Sequence, residues 1–302
     1  MSGATGLAAD AVAGERGHLL GVAYRMLGTV ADAEDAVQET YARWYRLTDA
    51  ERGAIAVPRA WLTRVVSRVC LDVLGSARVR REQYVGEWLP EPVPVTDAVL
   101  AGGDPAGGDP AERVSLQESV AMALLVVLES LTPAERVAFV LHDVFAVPFD
   151  EIAETLGRSS AACRQLASSA RRRVHATAER TAPRPRRDAL VQAFAAACLG
   201  GDLAALVAVL APEVTLRSDG GGVVSAARNP VRGAVSVARF LLGIVAKNPD
   251  AQIEEAHTGD GLGYVWRDDA GVRGVLTLDI ADDDRVTDVW MVMNPAKLSR
   301  WT

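Results

Sequence analysis

The sequence predicts three folded parts in series: an all-α domain, a second all-α domain built round a helix-turn-helix, and an α+β domain. Three observations carry this. Apolar residues recur at helical spacing from Asp10 to Arg81. Between Leu131 and Val174 two helical stretches are joined by a tight turn at Gly157. After Ala182 the helical patterns come first and a run of alternating strands comes last.

In chain order, Asp10–Leu27 reads as a first helix with Leu19, Leu20, Ala23 and Leu27 on one side, ended by Gly28. Asp32 opens a second, with an apolar stripe of Ala33, Ala36, Val37, Thr40, Tyr41 and Trp44. Its other face holds Asp32, Glu34, Asp35, Gln38 and Glu39, an acidic surface that also suits the helix N-terminus. Pro58 can occupy the first turn of a third helix, filled by Trp61, Leu62, Val65, Val66 and Val69 and closing on the arginines Arg78, Arg80 and Arg81. Residues 85–112 are rich in Pro, Gly and acid and read as a flexible linker. The apolar island Trp88-Leu89-Pro90 within it reads as a docking segment.

A helix from Glu112 to Ser130 leads to Thr132-Pro133-Ala134-Glu135, a capping box with Pro at the first helical position. Phe149, Ile152, Ala153 and Leu156 then form the stripe of a helix that Gly157 stops, since glycine accepts a left-handed exit. Ser159 caps the next helix. There Cys163, Ala167, Ala170 and Val174 face a core. Arg158, Ser160, Arg164, Gln165, Ser168, Ser169, Arg171 and Arg172 lie at the turn or on the other face. Arg and Gln can pair bidentately with guanine and adenine, while hydroxyls and further arginines suit phosphates. This is the chemistry of a DNA-binding surface. The alternative is a solvated helix with a basic last turn.

In the last part Asp188–Leu199, Leu203–Leu210 and Val235–Ala246 read as helices. Glu213–Ser218, Ala251–His257, Leu262–Arg267, Val272–Ile280 and Arg285–Met293 read as strands. The domain boundaries expected are therefore 10–84, 85–112, 113–180 and 186–302.

The net charge of −7 argues against a protein that binds nucleic acid through bulk charge. The charge is segregated, however, and local basic patches decide DNA contact. Cys70, Cys163 and Cys198 are far apart and odd in number, so a reduced, cytoplasmic protein without a disulfide framework is expected. No metal site, no cofactor, no signal peptide and no membrane span is read from the chain.

The blocks DAEDAVQETYARWYRL and PRAWLTRVVSRVCLDVLGSARVRRE, followed by the Leu131–Val174 stretch, resemble in order and spacing the two conserved domains of the extracytoplasmic-function sigma factors of bacterial RNA polymerase. The resemblance implies a sigma domain 2 at 10–84 and a sigma domain 4 at 113–180. It implies that Asp32, Glu34, Asp35, Gln38 and Glu39 meet the beta-prime clamp of core RNA polymerase. It places Trp61, Arg64, Ser67 and Arg68 at the opened minus-ten element of promoter DNA, with Arg78, Arg80 and Arg81 on phosphates. Stacking surfaces and a basic track suit single-stranded DNA, although Trp61 suits core packing equally. Domain 4 would read the minus-thirty-five element and meet the beta flap.

Residues 186–302 resemble the SnoaL-like fold, a curled antiparallel sheet with helices over its concave face. The whole chain resembles a sigma subgroup that carries such an extension and three motifs. These are found here at Trp88–Pro92, at Asp219–Gly222, and at Asn294-Pro295-Ala296-Lys297-Leu298. The subgroup usually has Lys after the three glycines, where Val223 stands. The resemblance implies control in cis, with Asp219, Gly220, Gly221, Gly222, Asn294, Pro295, Lys297 and Leu298 acting on Trp88, Leu89 and Pro90. A small-molecule ligand in the cavity of the extension could bias that control. Two rivals stay open: a one-component helix-turn-helix regulator with a ligand-sensing domain, and a bifunctional protein with an enzymatic extension. The polar residues open to catalysis, Arg217, Asp219, Arg228, His257 and Asp260, show no diagnostic acid–base spacing, so no catalytic residue is assigned.

Overall fold

The computed structural model describes residues 12, 14–82, 84–97, 121–178 and 184–301, without the side chains of 77–82, 175–178 and 184–186. The expected start of the first helix at Asp10, the linker stretch 98–112, the helix start at Glu112 and the boundary at Ala182 lie outside the described residues. So do the side chains of Arg78, Arg80 and Arg81.

Helices α1 (Arg16–Leu27), α2 (Val30–Arg46), α3 (Asp49–Gly53) and α4 (Pro58–Glu82) make the N-terminal region. Gly28 at φ 80° ends α1, its N–H bonding the Tyr24 carbonyl. Thr29 then caps α2 by accepting from the Asp32 N–H. Of the expected stripe, Ala33, Ala36, Val37, Thr40 and Trp44 are buried and Tyr41 is half-buried. Helix α5 (Met122–Glu129) precedes α6 (Pro133–Phe139), which opens with the full Thr132/Glu135 capping box. Helix α6 runs into a π-helical turn at Val140–Val144, which the periodicity did not indicate. Then come α7 (Phe149–Leu156), Gly157 at φ 62°, and α8 (Ser160–Ala178). Cys163, Ala167 and Ala170 are fully buried, as the stripe required.

The C-terminal region runs α9 (Arg184–Leu199), α10 (Leu203–Val209), β1 (Leu210–Asp219), β2 (Val231–Arg232), α11 (Ala234–Lys247), β3 (Gln252–Thr258), β4 (Gly261–Asp268), β5 (Gly271–Ile280) and β6 (Val286–Val292). Among the described residues, a six-stranded sheet has the order β2-β1-β6-β5-β4-β3. Strands β1 and β6 pair in parallel, and every other neighbouring pair is antiparallel.

This sheet corrects the expectation of a SnoaL-like curled antiparallel sheet. It is open and mixed, with β2 and β3 as its separate edges. The physical reason lies in alternation along the central strands. Tyr264, Leu276, Leu278, Val289 and Met291 join a core beneath α9, α10 and α11. Their neighbours Val265, Val275, Trp290 and Val292 join a second core with Leu89, Met122, Leu298 and Trp301. A sheet apolar on both faces is covered on both faces, as its near-continuous hydrophobic strands require. It has no single concave side to wrap.

The described residues divide into two compact units. One draws on described residues up to 80, on 97 and on 127–174; the other draws on those within 81–96, 121–126 and 175–301. The apolar island of the linker region thus belongs to the same unit as the sheet. Among the described residues, no helix is long and apolar enough to cross a membrane.

Candidate functional site

In the first unit the acidic side of α2 faces away from its buried stripe. Asp35 and Gln38 are exposed, and Asp32, Glu34 and Glu39 are half-buried. Asp32 accepts from the Thr29 hydroxyl at 2.6 Å, Glu34 pairs with Arg16 at 3.4 Å, and Glu39 pairs with Arg43 at 2.9 Å. Such exposed pairs hold little energy and are easily exchanged for a partner's charges.

Along α4 the candidates part company. Ser67 is fully buried and donates to the Thr63 carbonyl at 2.6 Å, which accounts for its hydroxyl within the helix. Trp61 is half-buried and meets Trp44 edge-on, with ring centroids 5.3 Å apart. Arg64 and Arg68 both reach α7: Arg64 pairs with the Glu154 carboxylate at 2.8 Å, and Arg68 donates to the Glu154 carbonyl at 2.7 Å.

On α8, Arg164 and Gln165 are exposed, as is Arg158 before it. The Arg164 guanidinium lies 5.3 Å from the Phe149 ring centroid. Ser160 bonds Asp150, and Arg171 pairs with Asp143. Arg172 reaches Ser168 at 3.3 Å, and Ser169 donates to Glu135 at 2.8 Å. Glu135 therefore both caps α6 and orients α8, a second role that the capping-box spacing alone does not signal.

Among its described residues, the same unit buries the cations Arg25 and Arg136. Arg136 donates to the Met26 carbonyl at 2.8 Å and pairs with Glu129 at 2.6 Å. Arg25 lies 5.3 Å from the Phe145 ring centroid, and burial lowers its pKa to about 10. His18 packs edge-on against the same ring. Burial first, then Arg59 and Arg25, brings His18 down to about 4, so it is neutral at pH 7.

In the second unit the three motifs converge on one buried ion pair. Asp219, at the end of β1, is fully buried, and Lys297, in a short 3-10 turn, is 4 % exposed. The Lys297 ammonium lies 2.7 Å from Asp219 Oδ2 and also donates to the Leu89 carbonyl. Asp219 further accepts from the Leu89 N–H at 3.0 Å, the Tyr84 hydroxyl at 2.6 Å and the Gly221 N–H at 2.9 Å. Asn294 donates to the Tyr84 oxygen at 2.9 Å. Burial first, then the hydrogen bond to Asp219, pushes the Tyr84 pKa well up, so the phenol stays protonated. The ammonium also stands 4.1 Å from the Trp88 ring centroid, a cation–π contact. Farther along, Trp301 Nε1 donates to the Pro92 carbonyl at 2.8 Å, and the Val95 N–H bonds the His257 carbonyl at 2.9 Å. Leu89, Pro90, Glu91 and Val93 are buried as a result.

The glycines explain themselves here. Gly221 has φ 65°, and a Cβ on it would stand 2.5 Å from Asn294 Cγ. A Cβ on Gly220 would stand 2.2 Å from the Val224 carbonyl oxygen. We expect Gly221→Ala to cost about 2–4 kcal/mol, summing the left-handed backbone and the crowding of Asn294. Thermal unfolding of the full chain checks this, and a loss below about 1 kcal/mol would show that the loop can move away. Val223 is 79 % exposed, so the missing lysine would have stood in solvent.

Of the residues considered for catalysis, Arg217, Asp219 and Asp260 are engaged in structural contacts. Arg217 pairs with Asp288 at 3.3 Å. Asp260 accepts from the Met122 and Ala123 N–H groups at 2.9 and 3.3 Å, capping α5. Burial first lifts its pKa to about 6, against the pull of those N–H groups and Arg187. The spacing of the sequence missed this role, because Asp260 acts on a residue 138 positions away.

Residues 12–82 match the family model for Sigma-70 region 2, and residues 121–174 match that for Sigma-70, region 4. The chain is 44 % identical over 295 residues to the ECF RNA polymerase sigma factor SigJ of Mycobacterium tuberculosis, covering 94 % of this chain and 91 % of that protein. It is 36 % identical over 289 residues to the probable ECF RNA polymerase sigma factor SigI of the same organism, covering 94 % and 92 %. The crystal structure of M. tuberculosis SigJ superposes with a TM-score of 0.73 at 39 % identity, covering 97 % of this chain and 98 % of that one. With two sigma regions matched in order and this likeness sustained over nearly the whole length, the chain belongs to the extracytoplasmic-function sigma factors of RNA polymerase.

Proposed function

We propose that this sigma factor directs core RNA polymerase to specific promoters under control, in cis, of its own C-terminal domain. Directing polymerase is the work of the family and needs no catalytic residue of its own. The acidic face of α2 (Asp32, Glu34, Asp35, Gln38, Glu39) is suited to the beta-prime clamp. Helix α4 with Arg64 and Arg68 is suited to the minus-ten element, and the exposed Arg158, Arg164, Gln165 and Arg172 to the minus-thirty-five element. Ser67, being buried, is better read as a packing residue. Arg64 and Arg68 are held by Glu154, so their engagement with DNA requires that contact to part.

The observation that carries the regulatory reading is the Asp219–Lys297 pair, which grips Tyr84, Trp88 and Leu89 between the two promoter-reading regions. A segment that must span separated promoter elements is thereby tethered to the sheet domain. Run-off transcription with core polymerase tests both halves, comparing the full chain with a version ending near Ala182 and with Lys297→Met. Promoter-specific transcripts from the full chain or the truncation are expected, and their absence from both would defeat the sigma reading. Yields differing at least threefold between full chain and Lys297→Met are expected; equal yields would defeat control through the tether.

A further inference from the structure

The C-terminal unit holds a cavity of about 230 Å³ on the sheet face that α9 and α11 cover. Its inner wall comes from Phe194 and Cys198 on α9, Leu241 on α11, and Tyr264, Leu276 and Met291 on β4, β5 and β6, none more than 8 % exposed. Trp266 adds a further aromatic wall. It sits opposite Gly274 in register, where a Cβ would stand 2.1 Å from the indole. The glycine makes room for the ring. Among the described residues, no Asp, Glu, Lys or Arg lines the cavity. Leu199, also part of the lining, is 56 % exposed, an apolar side chain left open where an occupant could cover it.

We infer that this cavity is a binding site for a neutral, mostly apolar small molecule of about two fused rings. Charge is disfavoured because an ionised ligand would lose its hydration with no counter-charge in the lining. The site's own titratable groups are neutral as well: burial pushes the Cys198 thiol up to about 12 and raises the Tyr264 phenol. The size follows from volume, since an apolar cavity of about 150 Å³ takes one benzene ring. Tyr264 and Asn248, whose amide N–H donates to the Ile244 carbonyl at 2.8 Å, are the polar residues of the lining that would orient such a ligand. The central strands also link this site to the tether. Tyr264, Leu276 and Met291 face the cavity, while Val265, Val275 and Trp290 face the core that contains Leu89. An occupant and the tethered segment therefore press on opposite faces of the same strands. This deepens the regulatory reading above, but binding can be measured without polymerase.

The test is equilibrium dialysis of the full chain against 2-naphthol and 2-naphthalenesulfonate, which share a ring system and differ in charge. One 2-naphthol per chain is expected, bound at least tenfold more tightly than the sulfonate. Ala195→Phe and Ala251→Phe, two independent fillings of the lining, are each expected to weaken it at least tenfold in chains whose melting temperature shows them folded. No saturable binding at millimolar probe would overturn the proposal. Equal binding of the sulfonate would overturn the neutral class, and unchanged affinity in both folded variants would place the site elsewhere. Because no transcript is read, failure here leaves the sigma function standing.

Discussion

Lys297→Met is expected to destabilise the C-terminal unit by about 3–5 kcal/mol, because it strands a fully buried carboxylate. Coulomb attraction alone is not the reason, since removing two charges from water offsets most of it. The cost comes from what remains. Asp219 would be left with only neutral donors, from Leu89, Tyr84 and Gly221. The Leu89 carbonyl would lose its ammonium donor. Hydrogen exchange reads the effect locally: the Leu89 amide is expected to lose at least roughly a hundredfold of protection, the equivalent of about 3 kcal/mol. Lys297→Arg keeps the charge but not the compact shape, and should recover only part of the loss. A change under about 1 kcal/mol on Lys297→Met would mean that the pair is not buried in solution.

The second large effect concerns pH. Burial raises Asp260 from 3.8 to about 6 in the folded chain. Between about pH 4 and pH 6 the folded state therefore keeps a proton that the unfolded state has released. The stability this group contributes is fully present below about pH 4 and is lost as pH rises through about 6. The total is about 3 kcal/mol, because each pH unit separating the folded and unfolded values is worth about 1.4 kcal/mol. This sign is opposite to that of a carboxylate stabilised by salt bridges. The groups facing Asp260 are the Met122 and Ala123 N–H donors, Arg187, which favours its charge, and Asp279, which opposes it. Asp260→Asn should abolish this component, so the difference in unfolding free energy between the two chains must change with pH in that window. Urea unfolding at about pH 4.5, 5.5 and 7 measures it. A constant difference would show that Asp260 is ionised throughout, with the cap on α5 outweighing its burial.

Much of the local structure was legible from spacing because it is decided locally. Gly157, Ser159 and the Cys163/Ala167/Ala170 stripe specify a helix exit, a cap and a buried face within about a dozen residues, and the helix-turn-helix follows. The Thr132/Glu135 box opens α6 for the same reason. The strands from Gln252 to Val292 lie close to where alternation put them. Spacing reaches its limit where one residue type serves two environments. The resemblance sets Ser67 at the DNA, although Cys70 and Leu74, three and seven positions on, share its buried face. Trp61 suited core and DNA equally, and the structure sets it against Trp44.

What the sequence by itself determined is most of the helices and strands, though not α3, β2 or the π-helical turn, and, by resemblance, the two sigma regions and the three motifs expected to act together. What only the tertiary structure decided is which atoms join the motifs and which distant segments pair. The parallel pairing of β1 with β6, the open sheet apolar on both faces, and the cap that Asp260 places on α5 are contacts between distant segments. Such contacts have no periodic signature, because closing a long loop costs little more than closing a shorter one and many pairings therefore compete. The Asp219–Lys297 pair is the clearest instance. The resemblance sets these two residues to act on the linker segment, and the structure shows how: two charges 78 residues apart form one buried pair against Leu89 and the Trp88 ring.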